Sequence, residues 1–300
     1  MNSDLGLFAK GVALGAANVI PGVSGGTIAL VTGIYQRLIS ALGSIGPTSV
    51  RQLLSGDIRG FMQAVDARWL LVLLSGVAIS IVTLARLFDW LLLNHEQLTM
   101  AFFFGLILAS IVYVAQRVER WGAVTFIALF AGIAVALAIA LLAPGSENAA
   151  PWYVFLCGVV AIASMILPGL SGSFVLILMG NYALVLGAIS SFDLGVLIPL
   201  GAGCAIGLLA FSHVLKWVFA RYADETLALM TGFVTGSLVI IWPWKNTITE
   251  TIERAGREAK TVVTGYEWYL PDIGSNLILA IVLAVLGAVL IVVMERTARS

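Results

Sequence analysis

Two stretches of this chain, 5–42 and 152–190, are apolar along almost their whole length, and each is interrupted near its middle by Pro-Gly. As an unbroken helix of about 38 residues, either would extend roughly 57 Å at ~1.5 Å per residue. The hydrocarbon core of a bilayer is only roughly 30 Å thick. The interruptions are Pro21-Gly22 and Pro168-Gly169. Proline lacks the amide proton and glycine frees the backbone, so a helix stops and reverses there. Each stretch therefore reads as a broken-helix hairpin, re-entrant or fully crossing, that returns to the side it left.

The rest of the chain fits a lipid environment. Hydrophobic residues make up 60% of the sequence and charged residues 11%, with a mean hydropathy of +1.04. A soluble domain needs roughly 25% charged residues to wet its surface. Six further apolar runs, at 68–92, 98–116, 121–143, 195–219, 226–242 and 275–294, are long enough to span. The formal net charge is zero and there is no basic run, which argues against a nucleic-acid partner. Cys157 and Cys204 lie in apolar runs, and His95 and His213 are far apart, so neither a disulfide framework nor a metal site is expected. No cofactor motif is present. The N-terminus has no cationic n-region and no cleavage site, so the chain reads as mature.

Lys10, Arg51, Arg59, Arg68, Arg117, Arg120, Lys216, Arg221, Arg296 and Arg299 fall on one side of this arrangement, while the short loops 93–97, 144–151 and 191–194 hold no Lys or Arg. The positive-inside rule then places both termini in the cytoplasm. The external segment 243–274 carries balanced charge. Within it, 246–263 has apolar positions at helical spacing and i,i+4 pairs Glu250/Arg254 and Glu253/Arg257, which predicts an amphipathic helix.

The two hairpins match each other. At one constant offset Gly11 pairs with Gly158, Pro21-Gly22-Val23-Ser24-Gly25 with Pro168-Gly169-Leu170-Ser171-Gly172, Gly33 with Gly180 and Tyr35 with Tyr182. At a second constant offset Gly76 pairs with Gly203, Trp90 with Trp217, Gly105 with Gly232 and Ser110 with Ser237. The longer 43–67 loop of the first half accounts for the change of offset. Two ordered blocks indicate duplication, with halves 1–146 and 147–300. Each half is one hairpin plus three spans. Three is odd, so the second half enters from the opposite side. The expected fold is an all-α integral membrane protein of two inverted repeats, an architecture of many secondary transporters.

After each break comes a run of small polar residues, Ser24-Gly25-Gly26-Thr27 and Ser171-Gly172-Ser173. Serine is a good N-cap, and the first turn of a helix has free amide protons. Two such tips near a common centre predict an anion site lined by amides and hydroxyls, since irregular backbone in a membrane must be buried in protein or line a wet cavity. Arg86 and Arg37 are candidates to add charge, and Asp89, His213 and Lys216 are candidates for coupling or charge relay. The alternative for Arg86 and Lys216 is snorkelling beside Trp90 and Trp217. The tips are not chemically equivalent: Asn18 is matched by Met165 and Arg37 by Leu184.

The segment Asn18-Val-Ile-Pro-Gly-Val-Ser-Gly-Gly-Thr27, with its echo Ile166-Leu-Pro-Gly-Leu-Ser-Gly-Ser173, resembles a prokaryotic membrane family once catalogued only as a domain of unknown function and now regarded as polyprenyl-phosphate translocases. The resemblance covers nearly the whole chain. It implies translocation of undecaprenyl phosphate, or a similar polyprenyl phosphate, across a prokaryotic cell (inner) membrane, in support of lipid-carrier recycling for envelope synthesis and without enzymatic chemistry. Undecaprenyl-diphosphate phosphatases also carry a Pro-Gly-x-Ser motif, but there an arginine follows the serine; here Gly25 and Gly172 take that place, and no Asp or Glu lies near either tip. A transporter or channel for a small soluble anion remains the leading alternative.

Overall fold

The computed structural model describes residues 4–19, 24–142, 145–254, 257–271 and 274–299. The break residues Pro21 and Gly22 lie outside this set. The first hairpin comprises α1 (Asp4–Val19), α2 (Gly25–Val31) and α3 (Tyr35–Leu42). Two short helices follow, α4 (Pro47–Leu54) and α5 (Ile58–Ala64), and the spans begin with α6 (Ala67–Ala115) and α7 (Ala123–Leu141). The second hairpin comprises α8 (Pro151–Ile166), α9 (Gly172–Leu178) and α10 (Tyr182–Ser191), followed by α11 (Leu194–Arg221), α12 (Ala223–Ile241), strands β1 (Lys245–Arg254) and β2 (Arg257–Trp268), and α13 (Ser275–Arg299).

Each hairpin has a second break beyond its Pro-Gly. It falls at Gly33 and at Gly180, both with φ of +74°, a left-handed conformation that glycine adopts freely. The returning helices α2 and α9 are therefore only seven residues each, about 10 Å long, too short to recross the membrane. In the second hairpin α10 turns away from α9 by 116°, as in a broken span or a re-entrant loop.

Helix α6 contains two of the expected spans. The chain reverses at His95, whose φ and ψ are −142° and 42°. The rings of Phe88 and Phe103, on opposite arms, lie 5.8 Å apart; along a straight helix they would be separated by ~22 Å. Six helical segments among the described residues are long and apolar enough to cross a membrane. The most apolar stretch of α12 is 67% buried, whereas those of α11 and α13 are 17% buried, so α12 is central and the other two face outward.

Helix packing depends on close backbone approach, as is usual where small residues line a membrane interface. A Cβ added to Gly11 would sit 2.2 Å from Leu73 O, and one on Gly76 2.4 Å from Phe8 O. The second half repeats the crossing: the distances are 2.4 Å from Gly158 to Leu200 O and 2.1 Å from Gly203 to Phe155 O. Thus α1 crosses the first arm of α6 as α8 crosses α11. The remaining spans pair between halves. The second arm of α6 packs on α13 through Gly105 and Gly287, and α12 packs on α7 through Gly132 and Gly232.

The segment expected to form an external amphipathic helix is instead an antiparallel β-hairpin, with Lys245 opposite Trp268 and Thr247 opposite Tyr266. Thr247, Thr249, Thr251, Thr261, Val262, Val263 and Thr264 explain the correction. Their branched side chains favour the pleated backbone, and two i,i+4 ion pairs at about 0.2–0.5 kcal/mol each cannot outweigh that preference. The hairpin is tied to the end of α12: Trp268 Nε1 donates to Val239 O at 2.9 Å and Tyr269 N to Trp244 O at 2.9 Å.

Lys245, at the root of β1, donates to Ile240 O and lies 4.6 Å from the Tyr266 ring centroid. Burial pushes its ammonium down to about 8, with the Glu96 carboxylate opposing the shift. Between pH 8 and the ordinary lysine value of about 10.4, the unfolded chain binds more protons than the folded protein at this position. Stability from Lys245 is accordingly greatest at high pH, falls as the pH drops from about 10.4 towards 8, and levels off below that. Thermal unfolding between pH 7.5 and 9.5 is expected to show a rising midpoint that Lys245→Met flattens.

Candidate functional site

The two tips meet. Ser24 and Ser171 have nearly the same extended backbone, with φ and ψ of −109° and 128° for Ser24 and −111° and 128° for Ser171, so each begins its short helix identically. Ser24 Oγ donates to Leu167 O at 3.1 Å, and the Gly169 amide donates to Thr27 Oγ1 at 3.1 Å. Tyr35, almost fully buried on α3, donates its hydroxyl to Ile166 O at 3.1 Å. A Cβ on Gly26 would lie 2.7 Å from Ile166 O. The carbonyls of Ile166 and Leu167, released where α8 ends, are thus held by side chains of the first hairpin. Side chains of the first hairpin thus supply hydrogen-bond partners that the second tip's broken backbone lacks.

The tips differ in what they leave open. In the first, Gly25 N–H donates to Asn18 Oδ1 at 2.9 Å, Gly26 N–H to Ser24 Oγ at 3.2 Å and Thr27 N–H to Ser24 O at 3.0 Å. Ser24 is 3% exposed and Thr27 is 0% exposed. This corrects the expectation that the amides of Gly25, Gly26 and Thr27 face a ligand: Asn18, one turn back on α1, and Ser24 itself consume them. In the second tip Met165 stands where Asn18 would be, and Ser171 caps nothing. Its Oγ lies 2.9 Å from Ser173 Oγ, and both serines are partly exposed. Among the described residues, no acceptor faces the amides of Gly172, Ser173 or Phe174. The amides without a described acceptor therefore belong to the second tip, while side chains of the first tip brace it.

A model of the undecaprenyl phosphate translocase-like family matches residues 14–259. The polyprenyl-phosphate transporter of Vibrio cholerae serotype O1 is 39% identical over 298 residues, covering 98% of this chain and 97% of that protein. The chain belongs to the undecaprenyl phosphate translocase-like family. The polyprenyl-phosphate transporter of Staphylococcus aureus is 32% identical over 252 residues, covering 78% of this chain and 84% of that protein. No solved structure matches.

The charged candidates are not gathered at the translocase-like tips. Arg37 Nε pairs with Asp66 Oδ2 at 2.7 Å, and its guanidinium lies 5.0 Å from the Trp69 ring centroid. The 43–67 segment that supplies Asp66 has no counterpart in the second half, which is why Leu184 suffices at the matching position. Arg86 is exposed on the outward face of α6 beside Val82 and Trp90, which are also exposed. His213 and Lys216 are exposed on α11; His213 Nδ1 lies 2.7 Å from Leu209 O, and Lys216 Nζ lies 3.4 Å from Ser44 Oγ. The side chain of Asp89 lies outside the described residues. Trp90 and Trp217 are 53% and 60% exposed, which fits the snorkelling alternative for Arg86 and Lys216.

Sequence reasoning missed Tyr35 and undervalued Asn18. Tyr35 was visible as half of a repeat pair, but nothing in its spacing announces a bond to a carbonyl of the other hairpin.

Proposed function

We propose that this chain carries polyprenyl phosphate, and undecaprenyl phosphate in particular, between the leaflets of a prokaryotic cell membrane without chemical change. The joined tips carry this reading: a hydrogen-bonded polar junction at the ends of two half-membrane helices, with Ser171 and Ser173 partly exposed and no acceptor among the described residues for the amides of 172–174. An ionised phosphate resists entry into hydrocarbon by tens of kcal/mol in the Born limit. Hydroxyl and amide donors fixed at half-depth replace part of its hydration, and Lys and Arg near the ends of the path supply charge. The tail stays in lipid. A wholly apolar groove of about 430 Å³ between the second arm of α6 and α13, lined by Ala101, Gly105, Leu108, Ala284 and Ala288, offers such a chain a smooth surface.

In this reading the two halves are inverted, both termini are cytoplasmic and the lipid returns to the cytoplasmic leaflet for envelope synthesis. Single cysteines at the exposed positions Ser55 and Ser146 test the inversion. In a background lacking Cys157 and Cys204, a membrane-impermeant maleimide is expected to reach Ser146→Cys only from outside and Ser55→Cys only from inside. Labelling of both from one side would end the inverted arrangement.

Reconstitution into liposomes tests the activity. Exchange of a labelled prenyl phosphate between leaflets should be much faster with protein than without, and excess inorganic phosphate should leave it largely unaffected. Flux of inorganic phosphate without lipid exchange would establish the small-anion alternative. Phosphate release from undecaprenyl diphosphate would establish an enzyme.

A further inference from the structure

The segment between α3 and α6, which has no counterpart in the second half, is built as a closed pair of helices rather than as a loop. The Gly46 amide donates to Ser49 Oγ at 2.9 Å where α4 starts, and the Gly60 amide to Asp57 Oδ1 at 2.9 Å where α5 starts. Between them the chain turns at Gly56, whose φ is +80°, and the Asp57 amide donates back to Gln52 O at 3.0 Å. Residues 43–46 and 65–66 join the pair to α3 and α6. Links this short, at roughly 3.3–3.6 Å per residue, hold the pair at the level where those two helices meet it. That is also the level where α1 begins, since Arg68 Nη2 lies 2.8 Å from Asp4 Oδ2.

Both helices carry one pattern. Val50, Leu53 and Leu54 fall at i, i+3 and i+4 along α4, with Arg51 beside them; Ile58, Phe61 and Met62 do the same along α5, with Arg59 beside them. The stripe turns away from the protein. Val50, Leu53, Leu54, Ile58 and Met62 are exposed and Phe61 partly so, no residue of α5 is buried, and in α4 only Ser49 is. Large apolar side chains exposed together mark an interaction surface. The charges around the stripe are cationic in effect. Asp57 caps α5 and Asp66 pairs with Arg37, whereas Arg51 and Arg59 are exposed and have no carboxylate partner among the described residues. An apolar stripe edged by arginine, held where membrane helices end, suits acyl chains on one side and anionic phosphates on the other.

We propose that α4 and α5 form an interfacial anchor for anionic phospholipid. The stripe enters the acyl layer of the leaflet on the side where α1 begins, and Arg51 and Arg59 hold the phosphates of that leaflet's anionic lipids. A second copy of the chain fits the stripe less well. In a two-fold contact the same patch meets itself, so each copy's Arg51 and Arg59 would face the other's with no carboxylate to receive them. The segment is present in the first half alone, so the anchor reads the lipid composition of one leaflet and not of the other. It is independent of translocation: a chain that moved no lipid would still carry it.

The test uses the full-length protein, with Cys157 and Cys204 replaced, in nanodiscs of phosphatidylcholine and phosphatidylglycerol. Single cysteines carrying an environment-sensitive fluorophore are placed on the stripe, at Leu54 and Met62, and on the opposite sides of the same helices, at the exposed Thr48 and Gln63. Lipid spin-labelled high on its acyl chain should quench Leu54→Cys and Met62→Cys at least about threefold more than Thr48→Cys and Gln63→Cys. Spin-labelled phosphatidylglycerol should quench the stripe about twofold more than equally abundant spin-labelled phosphatidylcholine. Arg51→Gln/Arg59→Gln should abolish that preference, and Arg51→Lys/Arg59→Lys should keep it. Should the Gln pair fail to assemble, raising salt from about 50 to about 500 mM should abolish the preference in the protein with both arginines. Equal quenching of the stripe and the opposite positions would take the face out of lipid and overturn the anchor. Disulfide cross-links between copies through Leu54→Cys, without quenching by either lipid, would give the stripe to a dimer and overturn it as well. Equal quenching by the two lipids, or a preference that survives in the Gln pair, would overturn the recognition of anionic lipid.

Discussion

Replacing Ser171 and Ser173 together by alanine is expected to slow leaflet exchange of prenyl phosphate by at least ~100-fold, with assembly intact. A hydrogen bond to a charged group contributes about 1.5–3 kcal/mol, and two of them are removed from the partly exposed side of the junction. The folded state loses little, because among the described residues the two hydroxyls bond only to each other and Ser171 caps no amide. Ser24→Ala should behave in the opposite way. It removes a cap worth about 1 kcal/mol and the bridge to Leu167 O, so its first effect is a lower thermal midpoint. Exchange rates and melting curves measured on both variants separate the two roles. Normal exchange in the double alanine variant would remove the second tip from the transport path.

The largest loss of stability is expected at Gly169. Its φ is +82°, and a Cβ would lie 2.5 Å from both Phe233 C and Val234 N of α12. Gly169→Ala therefore combines a left-handed backbone cost of about 1–2 kcal/mol with overpacking of about 1–3 kcal/mol against rigid helix backbone. That sum is a large part of a typical stability of about 5–15 kcal/mol. Poor recovery of monodisperse protein and a midpoint many degrees lower should follow. Gly187→Ala is the matched control. Nothing lies within 4 Å of a Cβ there, and an alanine in a helix is favoured over glycine by about 0.5–1 kcal/mol, so this variant should hold or gain stability.

The parts of the fold that sequence made legible are those set by covalent constraint and hydropathy. Pro168-Gly169 does end α8, and the six long apolar runs do become helices, because lipid leaves the backbone few other ways to satisfy itself. The second break at Gly33 and Gly180 was visible as a matched pair. Its meaning was hidden because a glycine in an apolar run serves equally for close packing, as at Gly76 and Gly203. The β-hairpin was misread for a different reason: charge spacing suggested a helix, while the heavier signal lay in seven threonines and valines. At the tips, the hydrogen bonding depended on Asn18, whose reach to Gly25 exists only once α1 and α2 fold back on each other. Contacts of that kind, like Tyr35 with Ile166, join residues far apart in the chain and leave no local periodicity to read.

The crossed pairing of α7 with α12 and of the second arm of α6 with α13 has a consequence for biosynthesis. Gly132 leaves the ribosome roughly a hundred residues ahead of Gly232, a delay on the order of 5–20 s at about 5–20 residues per second. Throughout that interval the nascent first half sits in the bilayer with two glycine-lined seams exposed to lipid and to insertion machinery. The halves should accordingly mature together, each completing the other, and a chain truncated after α7 should be degraded rather than accumulate as an independent module.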